Sequence, residues 1–477
     1  MDTEKVLSFF REIVRIPRES GHEEQIIAYL QQFASDRKLE CKTDKIGNVL
    51  IVKPASKGCE NRPVVILQSH SDMVCEKNGT IEHDFAKDPI KYVIEDGWMI
   101  AKDTTLGADC GIGIASQLAI LDDNSLEHGK IEALFTVSEE TGLDGAKAIK
   151  PDFLSGKILL NLDSEDEGEL FVGCAGGIDT TAVFTYRPKQ LAAGRVVSKF
   201  GIGGAVGGHS GDDIDKGRAN AVQLLARFLY EALEYKIDLC EIEGGNKRNA
   251  IAREAYAVIA FSAKNEDKIV SLFNRFADEI KMEYEVTDPD IKVYAEPVKW
   301  NKPAMDAGTA KKLIASLNSA PHGVLSMSAD IKGLVETSSN LASVKMGKKN
   351  TVRIGSSQRS SINSARHFAA QRFEADFVNA GAEVTHESEY PGWKPNMNSP
   401  IKDICVASYI RLFGNKPVVR AIHAGLECGL FLEKYPDLDM ISFGPTLRGV
   451  HAPGERLDLA SLDKFWKLLI DVLKNIK

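Results

Sequence analysis

Apolar residues recur at two different spacings along the first 180 residues, and this pattern predicts an α/β domain. Helical spacing marks the segments 3–17, 22–38 and 111–123. Short and nearly continuous apolar runs predict buried strands at 48–53, 63–70, 130–137 and 157–163. Because these strands alternate with helices, we expect a mostly parallel central sheet.

The pattern changes after residue 180 and returns to its first form near residue 391. The middle of the chain has strand-like runs and one clear helix, at 195–202, 219–233, 256–263 and 351–361. The segment 390–400 is rich in Pro and Asn and predicts a linker, after which helices and strands alternate again, at 401–413, 417–421, 439–445 and 460–476. We therefore expect an α/β domain in two parts, 1–180 and 391–477, with an α+β domain inserted at 181–390.

The composition and charge of this 477-residue chain limit the kinds of partner that we expect for it. With 43% hydrophobic and 27% charged residues it has a globular profile, and no apolar run is long enough for a membrane span. A net charge of −9 without a basic stripe argues against nucleic acid as a partner. The eight cysteines are dispersed and the start lacks a secretory pattern, so we expect reduced thiols and a cytoplasmic location.

Polar residues that could bind a metal ion follow the predicted strands, where open α/β sheets place their sites. His70 and Asp72 come at the end of the strand 63–70 and are two residues apart, so both point to the same side of an extended chain. A carboxylate commonly orients the free nitrogen of a metal-bound imidazole. A surface His–Asp pair that follows a strand is the alternative interpretation.

A glycine-rich turn carries the next candidate, Asp109, in the sequence TTLGADCGIG. Glycines let the backbone turn tightly and approach a ligand closely. Two other interpretations stay open at this point. Asp109 could cap the helix that follows, or the turn could bind phosphate, although its spacing fits neither of the common phosphate-binding motifs.

Adjacent carboxylates, Glu139 and Glu140, directly follow the predicted strand 130–137. Two such groups repel each other at the end of a buried strand unless positive charge is near, and a metal ion supplies that charge. Neighbouring residues point in different directions, so one carboxylate can bind metal while the other acts as a general base. An exposed acidic turn is the alternative.

Asp163 and His451 complete the set of candidates, because each follows a predicted buried strand. Neither is a strong signal alone, and a single histidine is usually structural or exposed. Together with His70, Asp109 and Glu140 they form a mixed set of imidazoles and carboxylates, which suits zinc, cobalt or manganese. Two terminal ligands for each ion and one shared carboxylate would make a two-metal site.

These motifs resemble those of a known family. SHSD, LGADCGIGIA, SEETG, LLNLDSED and GVHAPGE occur in the order found in the aminoacylase and carnosinase superfamily of cocatalytic zinc peptidases. Within this superfamily the sequence looks most similar to the cytosolic aminoacyl-histidine dipeptidases, on the stretches 316–328, 335–341, 356–365 and 422–429. The resemblance runs from about residue 5 to the end and implies a mostly parallel-sheet catalytic domain with an inserted lid domain.

The resemblance also implies roles for the candidate residues. Two divalent ions, zinc or alternatively cobalt or manganese, would be bound by His70 with Asp163, by Glu140 with His451, and by Asp109 between them. Glu139 would be the general base, and Asp72 would orient His70.

Further residues are implied to contact substrate. His209 in GGHSG would polarise the scissile carbonyl, and Arg359, assisted by Asn340, would bind the free carboxylate of the substrate through its paired donors. Glu427 would pair with the substrate amino group. The resemblance implies a homodimer formed through the lid, and it makes Cys110 a departure, since relatives usually have Asn or Asp there after a bond that is often cis.

The sequence therefore predicts a metal-dependent dipeptidase for small unblocked dipeptides, Xaa-His and β-alanyl-histidine among them. A deacylase of N-acyl amino acids and a tripeptidase stay open as alternatives, because the same ligands serve all three reactions. A catalytically silent metal-binding relative is a remote alternative, which would lack Glu139 or a ligand, and the sequence has all of them.

Overall fold

The computed structural model describes residues 3–477, which form two compact units. The first comprises the described residues up to Cys174 together with Trp393–Ala421 and Leu426–Lys477, and the second comprises Ala175–Gly392 with Ile422–Gly425. The sequence predicts boundaries after residues 180 and 390. The strand Gly176–Thr185 runs across the first of these, because it pairs along its whole length with a strand of the second unit.

An eight-stranded mixed sheet forms the centre of the first unit. In spatial order its strands are Glu40–Thr43, Val49–Lys53, Ile131–Thr136, Val65–His70, Ile158–Asn161, Asp439–Ser442, Glu169–Cys174 and Val418–Ile422. The third to sixth of these strands are parallel to one another, which agrees with their nearly continuous apolar runs. The first three pair antiparallel. The α/β class predicted from the sequence is confirmed, and the parallel pairing is concentrated in the middle of the sheet.

Helices and a small second sheet complete the first unit. Its helices within the described residues are Glu4–Ile13, Glu24–Asp36, Ala108–Asp122, Glu139–Gly142, Asp144–Ala148, Pro400–Phe413, Cys428–Lys434 and Leu459–Asn475. The four-stranded sheet has the order Leu447–Arg448, Arg456–Asp458, Trp98–Ala101 and Tyr92–Glu95. The first helix buries Val6, Phe10 and Ile13, whose spacing places them on one face. Ser399 caps the helix Pro400–Phe413 by accepting a hydrogen bond from the Lys402 N–H.

The second unit is built on a nine-stranded antiparallel sheet. Its strands in spatial order are Lys292–Pro297, Arg195–Gly203, Ala255–Ser262, Asp238–Gly245, Val335–Gly347, Thr351–Ser360, Gly176–Thr185 and Glu383–Tyr390, and Gly323–Met327 also pairs with Val335–Gly347. Two short ribbons are formed by Pro188–Lys189 with Ala304–Met305 and by Gly208–His209 with Ala250–Ile251.

Helices pack against this sheet over an apolar core. They are the α-helices Ala221–Ala232, Glu266–Glu283, Ala307–Ser319 and Asn363–Ala380, with 3-10 turns at Leu233–Tyr235 and Ala263–Asn265. The ring of Phe228 lies 5.0 Å from Phe200, 5.1 Å from Phe273 and 5.7 Å from Phe276 between centroids. Burial of each such side chain contributes about 1.5–3 kcal/mol to folding. Over residues 3–477, no helix combines the length and the apolar composition that a bilayer span requires.

Candidate metal centre

Four parallel strands of the first unit end at the same edge of the sheet, and the candidate ligands follow them. His70 ends one strand, and Asp163 follows a second strand by two residues. Glu139 and Glu140 begin a short helical turn after the third strand, and His451 comes after the fourth. The fold thereby brings together side chains that are far apart in the sequence.

Two histidines at this edge each face two carboxylates. Nε2 of His70 lies 3.0 Å from Oδ1 of Asp109 and 3.3 Å from Oδ1 of Asp163. Nε2 of His451 lies 3.1 Å from Oδ2 of Asp109 and 2.9 Å from Oε2 of Glu140. Asp109 therefore directs one oxygen to each histidine, and the five side chains form two donor sets that share this carboxylate.

Asp109 reaches its position because the backbone departs from helical geometry at the start of the helix Ala108–Asp122. Its φ and ψ are −80° and 115°, and the peptide bond between Asp109 and Cys110 is cis, although Cys110 departs from the residues usual there in relatives. The carboxylate of Asp109 contacts the two histidines. The Cys110 thiol donates a hydrogen bond to the Leu162 carbonyl at 3.3 Å.

Asp72 connects His70 to the turn that carries the paired glutamates. One oxygen lies 3.4 Å from Nδ1 of His70 and accepts a hydrogen bond from the Glu139 N–H at 3.0 Å. The other accepts from the Glu140 N–H at 3.2 Å and from the Ser20 hydroxyl at 2.7 Å. Burial alone would raise the pKa of Asp72, but these contacts outweigh it and lower the pKa to about 2. Asp72 is thus a charged group beside Nδ1 of His70, which is the arrangement that its predicted orienting role requires.

This site contains more acidic side chains than basic ones. Burial, assisted by Asp163, raises the pKa of Glu139 well above its usual range. Burial also raises the pKa of Asp163 to about 6. The carboxylates of Asp109 and Glu140, as hydrogen-bond acceptors, raise the pKa of His451 to about 11. Protons on these groups supply positive charge that a bound cation can supply instead.

Several donor atoms lie close enough together to hold a metal ion. Those of His70, Asp109 and Glu140 all lie within 4.8 Å of one another, and so do those of His70, Cys110 and Asp163. Imidazole and carboxylate are ligands that zinc accepts, as do cobalt and manganese. Oδ1 of Asp163 is buried and makes no hydrogen bond, although Nε2 of His70 lies 3.3 Å from it, so this oxygen is open to a further cationic partner.

Metal binding at this site is expected to weaken as the pH falls. In the metal-free protein the pKa of His451 is about 11, and Asp163 and Asp109 outweigh burial and raise the pKa of His70 well above its usual value. Both rings therefore carry protons at neutral pH, and a metal ion must displace them. Chelator competition between about pH 8 and about pH 6 should show a falling affinity for Zn²⁺. An affinity that is independent of pH would contradict the assignment of these histidines as ligands.

His209, a predicted substrate contact, lies in the second unit. It is partly exposed at the end of the strand Gly208–His209. Its Nδ1 accepts hydrogen bonds from the N–H groups of Gly211 and Asp212, both at 3.3 Å. The carboxylate of Asp212 also lies 3.4 Å from this Nδ1, and Nε2 makes no hydrogen bond with any of the described residues.

Arg359 and Asn340 lie on neighbouring strands of the second unit. Arg359 is buried, donates to the Tyr390 hydroxyl at 3.0 Å, and lines a cavity of about 240 Å³ whose wall also includes Arg248. Asn340 donates to the carbonyls of Arg248 and Ala250 at 3.0 and 2.9 Å. Asn340 thus holds the backbone of one wall of the cavity that Arg359 also lines.

Glu427 lies in the first unit and is fully buried. Its Oε2 accepts hydrogen bonds from Gln68 at 2.5 Å and from Thr136 at 2.7 Å, while Oε1 has no hydrogen-bond partner. Burial raises the pKa of Glu427 to about 8. Its contact with a substrate amino group stays a prediction.

Two residues of this region, Arg18 and Glu455, had no role in the sequence analysis. Both are almost fully buried and form hydrogen bonds with the backbone near Asp109. Glu455 lies within GVHAPGE, four residues after His451, and this proximity was the available signal. The Glu455–Asp109 contact joins residues 346 positions apart, and no local pattern predicts such a contact.

Comparison with known proteins decides the family of the chain. The sequence pattern of peptidase family M20/M25/M40 matches residues 66–475. The chain belongs to this family. It is 42% identical over 468 residues to the cytosol non-specific dipeptidase of Escherichia coli (strain K12), with 98% of this chain and 96% of the relative covered. The resemblance stated from the sequence motifs is thereby confirmed.

Solved structures of other proteins of similar fold agree with this membership. The chain matches the aminoacylhistidine dipeptidase of Vibrio alginolyticus with a TM-score of 0.92 and 41% identity, over 99% of this chain and 96% of the other. The aminopeptidase PepT of Bacillus cereus ATCC 10987 matches with a TM-score of 0.60 and 17% identity, over 100% and 99%, and shows the fold alone. The roles of individual residues in this M20/M25/M40 family member stay predictions.

Proposed function

We propose that this protein is a metal-dependent dipeptidase that hydrolyses small unblocked dipeptides, with Xaa-His and β-alanyl-histidine among its substrates. The observation that carries the proposal is the pair of donor sets that share Asp109, with Glu139 beside them. This site occurs in a peptidase-family chain that is related over nearly its full length to a dipeptidase and to an aminoacylhistidine dipeptidase.

The ligand roles follow the two donor sets. His70 with Asp163 and His451 with Glu140 would each hold one divalent ion, and Asp109 would contact both. Zinc is the proposed metal, since these ligand types suit it, with cobalt or manganese as alternatives. When bound there, a pair of ions supplies Lewis acidity that lowers the pKa of water and polarises an amide carbonyl.

Glu139 is the proposed general base. It accepts a proton from the attacking water and then donates it to the leaving amine. Burial, together with Asp163, raises the pKa of Glu139 above that of an exposed carboxyl, which makes it a stronger proton acceptor. Asp72 contacts the Glu139 backbone and the His70 ring at the same time, and so sets the position of the base relative to the ligand.

Substrate binding is proposed to involve residues of the second unit. His209 offers the Nε2 proton to the scissile carbonyl oxygen, and Arg359 binds the terminal carboxylate of the dipeptide through two parallel hydrogen bonds. Asn340 supports the cavity that Arg359 lines. A homodimer formed through the second unit and a cytoplasmic location are further parts of the proposal.

Purified, zinc-reloaded protein is expected to release histidine from β-alanyl-histidine, and chelator-treated protein is expected to release none. Loss of the ions removes the Lewis acidity and leaves Glu139 without an activated water. Histidine release, measured by chromatography with and without added Zn²⁺, tests the reaction and the metal requirement together.

A parallel panel of other dipeptides, tripeptides and N-acyl amino acids tests the substrate class. Chelator-sensitive hydrolysis of other dipeptides alone would overturn the histidine preference but not the dipeptidase. Activity on tripeptides or acyl amino acids alone would replace the dipeptidase by one of those activities. No hydrolysis of any of these compounds by metal-loaded protein would overturn the proposed function.

A further inference from the structure

A single buried carboxylate, that of Glu455, binds the backbone that leads to the shared ligand Asp109. One oxygen accepts hydrogen bonds from the N–H groups of Leu106 and Gly107 at 2.7 and 2.9 Å. The other accepts from Ala108 and Asp109 at 2.8 and 3.3 Å. Four consecutive N–H groups thus converge on one charged group, and hydrogen bonds to a charged acceptor are about twice as strong as neutral ones.

A buried guanidinium, that of Arg18, binds the same segment through its carbonyl side. Nη2 of Arg18 donates to the Gly107 carbonyl. Nη1 donates to the carbonyls of Asp72 and Ser71 at 2.6 and 3.3 Å. Because the fork of Arg18 is rigid, it fixes the distance between the segment that follows His70 and the segment that precedes Asp109.

Gly107 lies between these two charged groups. Its N–H faces Glu455 and its carbonyl faces Arg18, and its φ of +68° lies in the left-handed region. A Cβ atom there would stand 2.5 Å from Nη2 of Arg18 and 2.8 Å from the Met73 sulfur. The position therefore requires glycine for its conformation and for the close approach of Arg18.

We propose that Arg18 and Glu455 are positioning residues that set the geometry of the two donor sets through Gly107. Glu455 ties the segment of His451 to the segment of Asp109, and Arg18 ties the segment of His70 to it. The hydrogen bonds of these two side chains thereby connect the chain segments of both histidines to the carboxylate that they share. This inference rests on the proposed metal-dependent function.

A merely structural role makes a different prediction, and Glu132 provides the matched control. Glu132 is also almost fully buried in the first unit and accepts hydrogen bonds from the N–H groups of Ser155 and Gly156 at 2.9 and 3.1 Å. It lies near the start of the strand Ile131–Thr136, whose other end leads to Glu139. Glu132→Gln should lower thermal stability but leave the metal centre unchanged.

The test compares cobalt-substituted parent protein with Glu455→Gln, Glu455→Asp, Arg18→Lys and Glu132→Gln. Glutamine at 455 presents an amide N–H₂ group to N–H donors, so the segment of Asp109 must shift. We expect Glu455→Gln to change the visible spectrum of bound Co²⁺. The affinity for Co²⁺ or the value of kcat should fall roughly 10- to 100-fold. KM should change little, because Glu455 is proposed to act on the metal ligands and not on the substrate.

The conservative variants keep the test decisive if Glu455→Gln folds poorly. Glu455→Asp keeps the charge but is one methylene shorter, and Arg18→Lys keeps the charge but loses the fork, so both should show smaller changes of the same kind. Combined, Glu455→Gln and Arg18→Lys should be non-additive, because both act through Gly107.

The outcomes separate this inference from the proposed function. The parent protein is first shown to bind two Co²⁺ ions and to be active. If the variants at 455 and 18 then have the same spectrum, Co²⁺ affinity and kcat as the parent, the positioning role of Glu455 and Arg18 is wrong and the proposed function stands. Equal spectral changes in Glu132→Gln would also overturn it, since they would reflect general destabilisation. A parent protein that binds no Co²⁺ would overturn the proposed metal site and this inference together.

Discussion

Replacement of Glu139 by glutamine is expected to leave both metal ions bound and to lower kcat roughly 10²- to 10⁴-fold, the usual contribution of a general base. Glutamine has nearly the same shape but cannot accept a proton. Glu139 is outside both donor sets, whose histidines face Asp109, Asp163 and Glu140. The backbone N–H that Asp72 binds is unchanged by the substitution. Metal content and steady-state kinetics with β-alanyl-histidine measure the two effects separately.

Glu165 provides the control for this prediction. It follows Asp163 by two residues and is exposed, so it is another carboxylate close to the site in the sequence. No role is proposed for it, and Glu165→Gln should retain kcat within a few-fold. Wild-type turnover in Glu139→Gln, or a larger loss in Glu165→Gln, would show that the base has been assigned to the wrong carboxylate.

Most of the candidate metal ligands could be grouped from the sequence because they follow a local pattern. Buried parallel strands have nearly continuous apolar runs, and His70 and Asp163 come where these runs end. Glu139 and Glu140 stand beside each other after such a run. Parallel strands bring their carboxyl ends to one edge, so local information was sufficient to group these residues.

Contacts between distant segments could not be predicted in this way. The hydrogen bonds of Glu455 with the backbone before Asp109 depend on the path of two loops, and neither loop has a periodic pattern. Glu427 shows the same limit, because its contacts with Gln68 and Thr136 join residues 359 and 291 positions apart. Its sequence neighbourhood gives no sign of full burial.

Strands of the second unit were harder to predict because several of them bury polar side chains. The strand Val335–Gly347, which the pattern does not predict, buries Ser339 and Asn340; Ser339 accepts a hydrogen bond from Gln358 at 3.3 Å, and Asn340 donates one to the Arg248 carbonyl at 3.0 Å. A hydropathy pattern treats such residues as exposed, although hydrogen bonds satisfy them in the core. At the edge of the same sheet, Lys292–Pro297 is almost entirely exposed and so lacks the alternation that marks a half-buried strand.

Replacement of Asp109 by asparagine is expected to abolish activity and to lower the affinity for both metal ions. Asp109 directs one oxygen to His70 and the other to His451. Asparagine keeps the shape but has one oxygen and no charge, so it cannot serve two cations at once. The loss should exceed the roughly 10- to 100-fold typical for a residue that only supports a ligand. Titration with Co²⁺, followed by absorbance and by metal content, measures the number of ions bound and their affinity.

The Asp163→Asn variant is the control for this prediction, because Asp163 is proposed to bind only one of the two ions. Asp163 faces His70 at 3.3 Å, and no contact joins it to His451 among the ion pairs of residues 3–477. Its loss should lower the affinity for one ion and leave the set of His451 and Glu140 able to bind the other. If Asp109→Asn and Asp163→Asn gave the same titration, with one ion lost in each, Asp109 would be a ligand of a single ion. Loss of both ions only in Asp109→Asn would identify this carboxylate as the bridge, because no other side chain in the two sets touches both histidines.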